Sequence, residues 1–148
     1  MDIGVVVVTH GQLAAELVNA AETIVGDLPR FAAVSIGWHE DVDDARAEIR
    51  AAIERVRGPK GVLLLTDMFG GTPSNLGVTL LEPDQVEVIT GVNLPMLIKL
   101  ARLDSSASLL DIAREMREHG RHAIWVASDL LRGEGPDKRE REERSDPQ

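Results

Sequence analysis

Two titratable residues, each closing an apolar run, are the candidates for chemistry in this chain. Val5-Val6-Val7-Val8-Thr9-His10-Gly11 opens it, and Val62-Leu63-Leu64-Leu65-Thr66-Asp67-Met68-Phe69-Gly70-Gly71-Thr72-Pro73 stands near its middle. An apolar run without alternation is the pattern of a parallel strand buried on both faces. In an open α/β sheet the strand C-termini line the ligand crevice. If the two strands are neighbours, His10 and Asp67 meet there. A carboxylate that holds one imidazole nitrogen as an N–H donor leaves the other unprotonated and nucleophilic, then stabilises the imidazolium charge that develops on attack. Attack on a phosphoryl group is one reaction such a pair could perform.

The oxygens of such a group need donors. Thr9, Thr72, Ser74 and the backbone of Gly70 and Gly71 are the candidates, because paired glycines let N–H groups converge on a ligand. Gly11 allows close approach, and the helix that begins directly after it favours an anion at its N-terminus. Plainer readings exist for each residue. A histidine can merely end a strand and bond a carbonyl, and an aspartate there is often the cap of the next helix. The stretch from Met68 to Pro73 is long for a simple cap. No Gly-Lys-Ser/Thr follows the glycines, and Thr-His-Gly-Gln is no dinucleotide fingerprint, so a nucleotide is not expected. One His and one Asp, with Asn75 and Thr72 as weak additions, form a thin ligand set, so neither metal nor cofactor is expected. His39, in Gly37-Trp38-His39-Glu40, is the other histidine that could reach this edge. His119 and His122 flank a helix-to-strand turn and read as structural or exposed. Gly91-Val92-Asn93-Leu94-Pro95 either supports the site or starts a helix with Asn93 as its cap.

The elements that must position these residues follow from periodicity. Strands are predicted at Ile3–Val8, Phe31–Ile36, Val62–Leu65 and Val86–Ile89, with a last short one at Ala123–Ala127. Helices are predicted from Leu13 to a stop at Gly26, over Val42–Val56, from Pro73 to about Leu81, over Leu94–Leu103, and from a Ser108 cap to about His119. This alternation predicts an α/β fold, a mostly parallel sheet with helices on both faces. Two consecutive helices precede the last strand, which could therefore run antiparallel at an edge.

A chain of 148 residues fits one domain. A formal net charge of −9 argues against nucleic acid or an anionic membrane surface as partner and suits a basic docking face. No cysteine is present, which excludes disulfides and thiolate chemistry. No apolar run approaches the roughly 20 residues of a membrane span, and the N-terminus lacks a basic leader, so a cytoplasmic protein is expected. Residues 132–148 hold five Lys or Arg and six Asp or Glu with nothing apolar, and are expected to form a disordered tail behind a domain of residues 1–131.

Val-Thr-His-Gly, Thr-Asp-Met-Phe-Gly-Gly-Thr-Pro-Ser-Asn and Thr-Gly-Val-Asn-Leu-Pro-Met, at three successive strand ends, resemble the IIA component of the mannose-type bacterial phosphotransferase system. The resemblance runs from Met1 to about Leu131. It implies that His10 accepts a phosphoryl group from the histidine-containing phosphocarrier protein HPr and passes it to a histidine of a IIB component, with Asp67 orienting it. It also implies a homodimer with an exchanged edge strand, for which Ala123–Ala127 is the candidate. Phe69 and Thr72 stand where some members carry Trp and Ser. With no IIB domain in the sequence, the acceptor is expected on a separate chain. A regulatory module, or the phosphotransfer subunit of a dihydroxyacetone kinase, would use the same histidine.

Overall fold

In a computed structural model, residues 2–133 are described. Ten elements follow in order: β1 (Gly4–His10), α1 (Leu13–Val25), β2 (Phe31–Ile36), α2 (Val42–Val56), β3 (Val62–Thr66), α3 (Thr72–Thr79), β4 (Val86–Thr90), α4 (Leu94–Ala101), α5 (Leu109–His122) and α6 (Ala127–Leu131). The four strands pair in the order β2-β1-β3-β4, and every pairing is parallel.

The apolar runs without alternation behave as expected. Val5, Val6, Val7 and Val8 have no exposed surface, nor have Leu63, Leu64 and Leu65. Their side chains split between two cores. Val5, Val7, Leu63 and Leu65 pack with Ala14 and Val18 of α1, Leu97 and Leu100 of α4, and Ile112 and Met116 of α5. Val6, Val8 and Leu64 pack with Ile49, Ile53 and Val56 of α2 and Leu76 of α3. Burying each of these Val, Leu, Ile and Met side chains contributes roughly 1.5–3 kcal/mol, which is why a chain poor in aromatic residues still holds a firm sheet.

The helix signals in the sequence have local causes. Asp41 caps α2 by accepting the N–H groups of Asp43 and Asp44, Asn93 caps α4 through Met96, and Ser108 caps α5 through Asp111. The chain moves outward from β1 to β2, then crosses back over β1 to β3. The strand order therefore reverses between β1 and β3, and the loops at their C-terminal ends diverge there. That reversal is where open α/β sheets place ligands.

Two expectations need correction. The last strand is absent among the described residues. Ala123–Val126 lacks sheet pairing and leads into the short helix α6. The segment is apolar and partly β-branched, but a strand exists only against a neighbour, and this chain alone places none beside it. Secondly, α5 continues to His122, so His119 and His122 lie within its last turns and do not flank a turn. The expected tail lies outside the described residues except for Arg132 and Gly133. No helix among the described residues is long and apolar enough to cross a membrane.

Candidate active site

His10 is the last residue of β1 and Asp67 the first residue beyond β3. Val8 pairs with Thr66, and β1 runs two residues further, which carries the imidazole alongside the carboxylate. His10 Nδ1 lies 2.7 Å from Asp67 Oδ2. The backbone N–H of His10 donates to the same oxygen at 3.2 Å, and the Met68 N–H donates to Oδ1 at 3.1 Å. Both carboxylate oxygens are thus held.

Burial pulls the Asp67 carboxyl upward, but hydrogen bonds from the His10 ring and backbone, the charge of His10 and a local backbone N–H outweigh it. The carboxyl sits below its ordinary value. Asp67 is therefore an ionised acceptor, and an ionised carboxylate can only accept. An acceptor-only carboxylate 2.7 Å away favours the tautomer with its proton on Nδ1, in which Nε2 carries the lone pair. The His10 side chain is about half exposed and that of Asp67 only 14%. A partly buried anchor with an exposed imidazole is the arrangement of an oriented nucleophile.

Gly70 and Gly71 turn the chain from Asp67 into α3. Gly70 adopts a φ of 91°, in the left-handed region that favours glycine. Gly71 matters for a different reason. A Cβ at this position would stand 2.6 Å from Cε1 and 3.0 Å from Nε2 of the His10 ring. The glycine brings backbone against the Cε1–Nε2 edge of the imidazole, immediately before the first turn of α3. In that turn the N–H groups of Thr72 and Ser74 have no intrahelical partner, Pro73 has none to offer, and the helix dipole adds positive potential. Gly71→Ala is expected to push the ring off Asp67 and lower phosphoryl uptake by roughly 10- to 100-fold, as small misplacements of reacting groups do. Uptake kinetics would show it, and a wild-type rate would discard the steric role.

Two of the residues singled out beside His10, the candidate donor Thr9 and the close-approach glycine Gly11, have bonds that run elsewhere. Thr9 is fully buried, and its hydroxyl donates to the His10 carbonyl and accepts from the Ala14 N–H at 2.6 Å. It fixes the entry to α1, so it supports the site and does not line it. Gly11 donates its N–H to the Ile36 carbonyl and turns at a φ of 54°. Its proximity in sequence to His10 is what made it look available. Thr72 is half-buried beside the site, and Ser74, in the first turn of α3, has its side chain almost fully buried.

His39 is exposed, its ring set edge-on to Trp38 at 6.3 Å, and no hydrogen bond or ion pair joins it to His10 or Asp67. Of the two alternatives for the Gly91–Pro95 segment, the structure shows the helix start, and the segment also bonds the chain next to Asp67. Asn93 caps α4 and donates its amide to the Gly120 carbonyl, while the Gly91 and Val92 N–H groups grip the Thr66 carbonyl just before Asp67. Sequence reasoning missed the backbone bonds that clamp Asp67, since nothing in residue type marks them. No group of three or more His, Cys, Asp or Glu side chains that could hold a metal ion occurs among the described residues.

Residues 4–116 match the protein family described as "PTS system fructose IIA component". The chain belongs to this family. This IIA-family chain is 32% identical over 131 residues to the "PTS system mannose-specific EIIAB component" of Escherichia coli (strain K12), an alignment over 84% of this chain and 39% of that protein. It therefore spans well under half the length of that relative. It is 27% identical over 130 residues to the "PTS system fructose-specific EIIA component" of Bacillus subtilis (strain 168), covering 87% of this chain and 89% of that one. Among solved structures it resembles the "mannose/sorbose specific IIA subunit of phosphotransferase system" from Enterococcus faecalis, with a TM-score of 0.76 and 26% identity over 85% of this chain and 95% of that chain. The paired His10 and Asp67 of this family member lie within the matched residues.

Proposed function

We propose that this IIA-family chain is a cytoplasmic phosphohistidine relay, taking a phosphoryl group from HPr on His10 Nε2 and passing it to a IIB component on another chain. The observation that carries the reading is the 2.7 Å contact between His10 Nδ1 and an ionised Asp67. The Nε2 lone pair attacks the phosphorus of the donor's phosphohistidine. The new N–P bond forms as the donor's N–P bond breaks, and its electron pair returns to the donor imidazole. No proton leaves His10, since Nδ1–H stays directed at Asp67, whose charge offsets the cation formed on the ring. The α3 N-terminus, with Gly70, Gly71, Thr72 and Ser74, faces the anionic group. Transfer onward is the same step in reverse on the acceptor histidine. Incubation with phosphoenolpyruvate, enzyme I and HPr, followed by intact mass, tests the reading. Gain of one acid-labile phosphoryl group is expected, and no gain would reject it.

The same reading includes a homodimer through the C-terminal segment. Ile124, Trp125 and Val126 are 66%, 45% and 64% exposed, and Leu131 is 88% exposed. Among the described residues, no strand pairs with the outer side of β4. There Glu87–Thr90, with Leu110, Ala113, Arg114 and Arg117 of α5, line a groove of about 280 Å³. An apolar segment without a strand partner and a strand edge without a neighbour complement each other across two identical chains. Light scattering at micromolar concentration is expected to give twice the 16.1 kDa chain mass. Trp125→Asp should shift it toward the monomer, and a monomeric wild type would refute exchange.

A further inference from the structure

The loop between β2 and α2 carries a feature that the phosphoryl chemistry does not use. Trp38 is 93% exposed, and its only ring contact among the described residues is the edge of His39. Leaving a side chain of this size in water forgoes a large burial energy. On the loop after β3, Phe69 is 81% and Met68 56% exposed. The order β2-β1-β3-β4 sets the end of β1, and so His10, between these two loops. Two apolar flanks therefore stand on either side of the nucleophile.

The flanks differ in charge. Residues 38–44 include Glu40, Asp41, Asp43 and Asp44 with no lysine or arginine. Arg46 answers one of them, Asp43, at 3.1 Å, and the Asp41 carboxylate is spent on capping α2. Burial, then the adjoining Glu40, push the Glu48 carboxyl above its ordinary value, a further sign of crowded negative charge. An incoming phosphoryl group is itself an anion, so this rim repels small phosphate donors. It becomes favourable only for a donor that brings its own cations to meet it. The positive first turn of α3 then remains for the phosphoryl group.

We propose that Trp38 with the acidic rim Glu40–Asp44 is the docking edge for the protein that delivers the phosphoryl group, and that this donor presents an apolar face with basic residues around it. The proposal rests on His10 being the relay residue. Charge on the rim sets the encounter rate and its register, and Trp38 supplies the buried anchor.

The test compares two donors on the wild type, Trp38→Ala and Asp43→Asn/Asp44→Asn: phospho-HPr, and phosphoramidate, a small reagent that labels histidine without docking. Trp38→Ala is expected to raise the half-saturating HPr concentration about tenfold or more, with the saturated rate unchanged. Transfer from HPr to the wild type should slow as salt rises, and the double variant should show a shallower dependence. Labelling by phosphoramidate should not fall in any variant, since His10 and Asp67 are untouched. Equal HPr kinetics in all three proteins would overturn the docking edge and leave the relay standing. An equal loss with both donors would overturn it too, by showing a distorted site. Labelling by phosphoramidate alone, with no transfer from HPr to the wild type, would overturn the relay and the docking edge together.

Discussion

His10→Ala is expected to take up no acid-labile phosphate from phospho-HPr, while His39→Ala is labelled as the wild type. Uptake should fall to background, because only His10 combines a carboxylate on Nδ1 with an exposed ring beside a helix N-terminus. Among the described residues His39 has no carboxylate partner that would fix its tautomer, and His119 sits in the last turns of α5. The ring of His10 is about half exposed, so its removal creates no buried cavity and the fold should survive. Loss of signal with an unchanged melting temperature therefore reports chemistry. Acid-labile phosphate persisting in His10→Ala would end the assignment.

Asp67→Asn is the second large effect. Asparagine keeps the shape and can still accept the Nδ1–H, but it carries no charge to offset the imidazolium formed on phosphorylation. It can also turn its amide toward the ring and favour the wrong tautomer. Transfer should slow by roughly tenfold to a thousandfold, by analogy with other carboxylate–histidine pairs. An unchanged rate would remove Asp67 from the mechanism. The same variant bears on acid stability. A carboxyl whose folded value is depressed contributes stability above its unfolded value, and that contribution is lost as the pH falls through the folded one. Wild type should therefore lose more stability than Asp67→Asn as the pH is lowered through the carboxylate range. Melting temperatures across that range read this out.

The pairing of His10 with Asp67 was legible because uniform apolar runs announce central parallel strands, and residues just past their C-termini share one crevice. The ends of β2 and α2 fall where composition places them, since Asp41 is a local cap and local signals travel in sequence. What escaped was non-local. Thr9 and Gly11 adjoin the nucleophile in sequence, yet their hydrogen bonds run to Ala14 and Ile36. The helix expected to end near His119 runs on through Gly120, where a Cβ would stand 2.8 Å from Met96 Cε. The glycine serves the approach of α5 to α4, and the helix passes through it. Ala123–Ala127 has strand composition without a strand, because pairing depends on a partner that no local pattern supplies.

The place of β1 in the sheet has a consequence for motion. It is hydrogen-bonded on both sides and buried on both faces. Amides in such a strand exchange with solvent only when the whole domain opens. Those of Met68 to Thr72 lie on a surface loop and should exchange through local openings. On the relay reading, the proposed nucleophile is thus expected on a slowly exchanging strand and its proposed anion-binding wall on a faster loop. Such a wall would be free to adjust around a bare ring, a phosphorylated ring or a docked partner while the imidazole keeps its bearing.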